Sequence, residues 1–253
     1  MSTKKQLTLI RFCRTTTNEI GVAGFIIIPK SRGITPYPLI YPTTERQGLE
    51  IQAGTYPVIM SWSPKFKKPL PLISGVPAPQ QTEADRKEWP DGVRTGIRIH
   101  LAERQKNVTG CVGLWYRENA FARDNNSEAK QQEALEIIKK LVATYETEIK
   151  IIEINLSQIP NATDWDGSEN TNIDDFNAVL TRVLHYHPHN NPKKTLDEFF
   201  YLLLSRHAAS AIHFRLPDDE YLAQRKALIG VASQLGVVER DLPPLLRYFT
   251  NHG

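Results

Sequence analysis

Thr95-Gly-Ile-Arg-Ile-His-Leu101, followed after a short polar loop by Asn107-Val-Thr-Gly-Cys-Val-Gly-Leu-Trp115, is the stretch on which the reading of this chain turns. Gly96, Arg98 and His100 alternate with Ile97, Ile99 and Leu101, the period of a strand. Arg98 and His100 therefore project from one face, and the three aliphatic residues pack on the other. Lys106-Asn107 supplies a turn, and Val112, Leu114 and Trp115 restart an apolar run. Cys111 falls at the loop-to-strand junction, directly after a glycine that permits close backbone approach. An imidazole and a thiol joined by one turn can lie side by side, the pairing that nucleophilic cysteine chemistry requires. The plain alternative is a cysteine packed inertly in the core, as most are.

The 253 residues suffice for one large or two modest domains, each with its own core. Apolar content of 40% and charged content of 23% describe an ordinary globular chain, and a net charge of +3 gives no argument for nucleic acid. The start, Met1-Ser-Thr-Lys-Lys-Gln6, leads into an alternating strand rather than a signal-peptide core, so synthesis in the cytoplasm without a signal peptide is expected. No segment has the apolar length of a transmembrane helix. Cys13 and Cys111 make neither a disulfide framework nor a zinc spacing, and no cofactor or metal is expected.

Working outward from the central stretch, Gln6–Arg14 alternates as a first strand, and Phe25-Ile-Ile-Ile28 lies in a second that is buried on both faces, with Thr15–Glu19 as the turn between them. Pro29–Pro42 reads as an irregular connection. Thr55–Trp62 is a strong strand after the Ala53-Gly54 turn, and Ser63 to about Val93 reads as one long proline-rich loop. Glu128–Val142 places Ala134, Leu135, Ile137, Ile138, Leu141 and Val142 on one helical face. Glu148–Leu156 closes the first domain as a strand. Residues 158–172 read as a polar linker. Helices follow, beginning at Asp174 or Asp175, at the capping box Thr195-Leu-Asp-Glu198, at Pro217 and at Leu242. The expected class is α+β, with a mostly β domain over residues 1–157 carrying one packed helix and a small all-α bundle over 173–253. His185-Tyr-His-Pro-His189 reads as a helix cap or solvated loop rather than a metal site.

Three separated pieces resemble the L,D-transpeptidase catalytic domain, often called the YkuD fold. Gln52-Ala-Gly-Thr-Tyr-Pro-Val-Ile59 is similar to its glycine–aromatic turn, Gly96-Ile-Arg-Ile-His100 to its histidine strand, and Val108-Thr-Gly-Cys-Val112 to its Ser-His-Gly-Cys motif. The span 5–156 resembles still more an uncharacterised domain common in bacteriophage and secretion-associated proteins. Thr109 and Val108 stand where the transpeptidases have the motif's histidine and serine, and Gly113 where they commonly have arginine. The resemblance implies a YkuD-like sandwich or barrel and cysteine-dependent acyl transfer on peptidoglycan stem peptides, by transpeptidation or carboxypeptidase action. It implies peptidoglycan as partner, a cognate immunity or secretion-machine protein beside it, and action in a target cell's periplasm or at the cell wall, as an antibacterial effector or phage protein. A non-catalytic phage or secretion-system module that binds cell wall or a partner is the alternative.

On this reading Cys111 is the nucleophile and His100 its general base and later acid. Gly110 with Cys111 offers backbone N–H groups for an oxyanion hole. Arg98 is placed to hold a substrate carboxylate or, equally, to pair with an acid of the loop. Thr109 contacts substrate or His100, or satisfies its own turn. Tyr56 lines the substrate side or belongs to the core. An imidazolium beside Cys111 is expected to keep the thiolate below the pH of a free cysteine.

Overall fold

The computed structural model describes residues 4–14, 21–78, 83–115, 128–154, 196–197, 199–201, 203–204, 207, 217–238 and 240. Eight strands form one sheet: β1 Lys5–Arg14, β2 Val22–Ile28, β3 Leu39–Glu45, β4 Gly54–Ser63, β5 Lys68–Ile73, β6 Ile99–Ala102, β7 Val112–Trp115 and β8 Thr147–Glu153, in the order β5-β4-β8-β1-β2-β3-β7-β6. The protein is α+β and mostly β, and its sheet is nearly closed into a barrel. The two end strands meet through the antiparallel bridge Leu72↔Arg98 and the Ile73 N–H donating to Ile97 O at 2.8 Å. Pro69 and Pro71 share the parity of Ile73 but carry no N–H, so the seam cannot be laddered further along β5.

Two of these strands were hidden by proline. The connection expected over Pro29–Pro42 contains the start of β3, which pairs with β2 from Ile28↔Leu39 to Val22↔Glu45 and carries Pro42 opposite Phe25. The loop expected from Ser63 to Val93 contains β5, paired antiparallel with β4 from Ser63↔Lys68 to Val58↔Ile73, and a short helix α1, Glu83–Glu88. Proline is tolerated where its nitrogen faces away from the ladder, and β5 satisfies that condition.

β2, lying between β1 and β3, is buried at every position, which its continuous apolar run Phe25–Ile28 requires. Helix α2, Glu128–Thr144, buries Ala134, Leu135, Ile138, Leu141 and Val142 in the same core as Leu7, Ile26, Val58, Ile99, Val112 and Ile149. It packs on β4 and β5 at one side of the seam and on β6 and β7 at the other, so it backs the join from the core side. An ion pair is buried in this core: Arg11 donates in bidentate fashion to Glu45, whose Oε1 also accepts from Ile51 N at 3.3 Å. With both charges desolvated, the pair fixes the Arg46–Ile51 loop by geometry more than by net energy.

Contacts divide the chain into two compact units, Met1–Arg11 with Thr16–Ile152, and Phe12–Thr15 with Glu153–Gly253. In the second, helix α3, Asp218–Gln234, has Asp218, Asp219 and Glu220 in its first turn, where carboxylates suit the helix dipole. It ends at Gly236, whose φ of +84° lets the Val237 N–H return to Ala232 O at 2.9 Å. The described residues between 196 and 207 are helical, with Phe199 and Phe200 packed edge to face. The linker over 158–172, the helix starts at Asp174, Asp175, Thr195 and Leu242, the Thr15–Glu19 turn and His185–His189 lie outside the described residues. Among the described residues, no helix is long and apolar enough to cross a membrane, and no group of three or more His, Cys, Asp or Glu side chains is arranged to hold a metal ion.

Candidate functional site

The central stretch forms two parallel strands, β6 and β7. β6 and β7 pair in the register Ile99↔Val112, His100↔Gly113, Leu101↔Leu114 and Ala102↔Trp115. The chain returns through a 3-10 turn at Gln105–Asn107, closed by the Asn107 N–H to Arg104 O and by Asn107 Oδ1 accepting from Arg104 N, each at 2.9 Å. Ile97, Ile99, Val112 and Leu114 enter the core, as the alternation requires. Arg98, His100, Cys111 and Gly113 therefore share the other face. His100 looks across at a glycine, and Cys111 is its diagonal neighbour toward the start of the pair.

His100 is buried, with 3% of its surface exposed. Its Nδ1 lies 2.7 Å from Leu101 O, a contact that needs a proton on Nδ1 and leaves Nε2 as the base. Phe66, from the β4–β5 turn, packs on the ring with centroids 4.7 Å apart. Burial pushes the imidazole pKa down to about 4, the Leu101 carbonyl offsets this in part, and Lys65 and Lys68 push it further down. The imidazole is thus neutral at pH 7.

Cys111 is partly exposed. Its sulfur accepts from Arg98 N at 3.4 Å and its thiol points to Gly96 O at 3.9 Å, so its two hydrogen-bond partners are backbone groups and not the imidazole. Burial pushes the thiol pKa up, against smaller opposing effects of the Arg98 N–H, Lys65, Arg94 and Arg98. This reverses the expected order of charges. With burial disfavouring charge on each and no mutual hydrogen bond, the resting pair is neutral thiol and neutral imidazole, not thiolate and imidazolium.

Gly110 takes φ +73°, the left-handed region. Among the described residues, the N–H groups of Gly110 and Cys111 have no loop or turn acceptor. A Cβ on Gly110 would also overlap the guanidinium of Arg94. Arg94 is therefore a site residue that pattern reading missed. It stands at the end of a proline-rich stretch with no periodicity around it, and only its contact with the Gly110 backbone reveals it.

The remaining expectations separate. Arg98 is buried and its guanidinium is committed to the β4–β5 hairpin. Nη1 donates to Ser61 O at 2.9 Å and Leu70 O at 3.3 Å, Nη2 to Trp62 O at 2.7 Å and Ser61 Oγ at 3.4 Å. Those carbonyls stand where an acid or a substrate carboxylate was expected, and they make Arg98 a clamp across the seam. Tyr56 is a core residue whose hydroxyl donates to Gln52 O at 2.9 Å, so it does not line the cysteine face. Thr109 is exposed at the turn and Val108 is buried beneath it. Trp115 is buried, with Nε1 donating to Glu103 O. Compared with known proteins, the chain matches no family model, no curated protein and no solved structure.

Proposed function

We propose that the N-terminal unit is a YkuD-like acyltransferase acting on peptidoglycan stem peptides, with Cys111 as nucleophile and His100 as general base. The observation that carries this reading is the placement of a neutral imidazole, its tautomer fixed by Leu101 O, on the same sheet face as a partly exposed thiol. In the reaction the Cys111 S–H proton passes to His100 Nε2 as sulfur bonds the carbonyl carbon of the diamino acid at stem position three. The C–N bond to the terminal D-alanine breaks, and the proton returns to the leaving amine. Water or an amine then attacks the thioester and restores the thiol. The N–H groups of Gly110 and Cys111, which have no loop or turn acceptor among the described residues, suit the oxyanion. Neutral partners need no ion pair at rest, and catalytic hydrogen bonds tighten when the substrate is in place.

The C-terminal unit in this proposal is a small helical accessory domain, supported by α3 and by the buried Phe199, Phe200, Leu203 and Leu204. The protein acts at a target cell's wall or periplasm as an effector or phage component. Intact-mass spectrometry after incubation with tetrapeptide muropeptides tests the chemistry. An acyl adduct that maps to Cys111 and is lost in Cys111→Ala supports it, and full turnover by Cys111→Ala refutes it. Two observations favour a second reading: among the described residues the sulfur bonds only backbone, and burial disfavours charge on both members of the pair. A non-catalytic module that binds cell wall fits that, and muropeptide binding without any adduct would select it.

A further inference from the structure

We infer that Arg94 is an anion-binding, specificity-determining residue at the Cys111 thiol, selecting substrates that carry a carboxylate next to the reacting carbonyl. The inference rests on the reading of Cys111 as the reacting group and adds the residue that chooses what reaches it.

Arg94 retains only 6% of its surface, yet among the described residues its guanidinium makes one hydrogen bond, a long one from Nη1 to Glu50 O at 3.5 Å. Its Nε is buried without a hydrogen-bond partner among the described residues. A buried cation normally has its donors filled, because each unfilled one keeps the full desolvation penalty. Arg98 shows the ordinary outcome four residues along, with four contacts on two nitrogens. Arg94 is held in place by packing instead. Its Nη2 lies against the Gly110 Cα, in the space a side chain would fill, and Trp89 covers it with the guanidinium carbon 5.8 Å from the ring centre. Burial works against the Arg94 charge, and of the groups that favour it a thiolate at Cys111 comes first, ahead of Glu45, Glu88 and Glu50. Of these, Glu45 is already paired with Arg11. A guanidinium with unfilled donor capacity beside Gly110 and Cys111 matches a carboxylate, whose charge would offset the cost of its burial. A terminal D-amino acid, or the free carboxylate of a diamino acid, presents that group within a few bonds of the scissile carbonyl.

The test compares iodoacetate with iodoacetamide on the full chain, reading alkylation at Cys111 by peptide mass mapping so that Cys13 does not interfere. The two reagents differ only in the carboxylate. Taken relative to the same ratio in the urea-unfolded chain, the iodoacetate preference of the native protein is expected to be about tenfold, the scale of one charge-assisted contact. Acetate should slow iodoacetamide labelling, and Arg94→Gln should remove both effects while Arg94→Lys keeps part of the preference. A native ratio no higher than the unfolded one overturns the inference, with no variant required. So does an undiminished preference in folded Arg94→Gln, which would assign the field to Lys65 or Arg98. A clear preference in a protein that forms no muropeptide adduct would retire the acyltransferase reading and leave the anion subsite standing.

Discussion

His100 and Gly113 stand opposite each other across the parallel β6–β7 pair, so the imidazole faces a position without a side chain. A Cβ at Gly113 would come within 2.6 Å of Ala102 Cβ and 3.0 Å of both Thr44 Cγ2 and Val108 Cγ1. Gly113→Ala should therefore destabilise the N-terminal unit by about 1–3 kcal/mol through overpacking. The closest obstacle is one methyl group, so Gly113→Ala combined with Ala102→Gly should recover part of that loss. Urea unfolding of the two singles and the double decides it, and strictly additive effects would show that the clash is not the cause.

Stability should depend on pH through His100. Its pKa is 6.5 unfolded and about 4 folded. Between those values the unfolded chain holds a proton that the folded one excludes, so stability falls as pH falls from about 6.5 to 4. The full contribution is on the order of 3 kcal/mol. His100→Gln should flatten this part of the profile, as measured by thermal melting at a series of pH values. An unchanged slope would contradict a buried, neutral imidazole.

Cys111 should titrate late. Burial raises its pKa, so alkylation by iodoacetamide should reach half its limiting rate above the pH typical of a free thiol. Lys65→Gln should move the midpoint higher still by removing a cation that favours the thiolate. His100→Gln should leave it nearly in place, because the imidazole is uncharged and does not bond the sulfur. A midpoint well below the ordinary value, abolished in His100→Gln, would restore the ion pair.

Arg98→Ala should behave as a folding variant. It removes four contacts to Ser61, Trp62 and Leu70 and should cost about 2–4 kcal/mol, with Arg98→Lys recovering little because a point donor cannot span them. Unaltered urea unfolding with weakened muropeptide turnover would instead make Arg98 a substrate contact.

Much of the site was legible because alternation is a local signal. The period of Ile97, Ile99 and Leu101 against Arg98 and His100 fixes which side chains share a face whatever the strand pairs with. What pairs with it is a long-range matter, and one turn between two runs does not reveal that they return in parallel. β3 and β5 escaped notice for a different reason. Pro42, Pro69 and Pro71 argue against a strand unless their nitrogens face away from a ladder, and that is decided by neighbours far along the chain. The commitments of Arg98 and Arg94 are likewise tertiary. Two arginines four positions apart look alike in sequence, yet one is filled by the β4–β5 carbonyls and the other lies against a glycine.

The seam between β5 and β6 gives the N-terminal unit a line of weakness. β2 and β3, or β4 and β5, part only by unzipping a long run of backbone pairs, but here the strands part by breaking the single Leu72–Arg98 bridge, to which the Ile73–Ile97 amide bond belongs, and the grip of one guanidinium. Arg98 carries both that grip and the N–H that touches the sulfur. A fluctuation that springs the join should therefore begin beside Cys111 and expose its thiol first. Cys111 sits at the barrel's own latch.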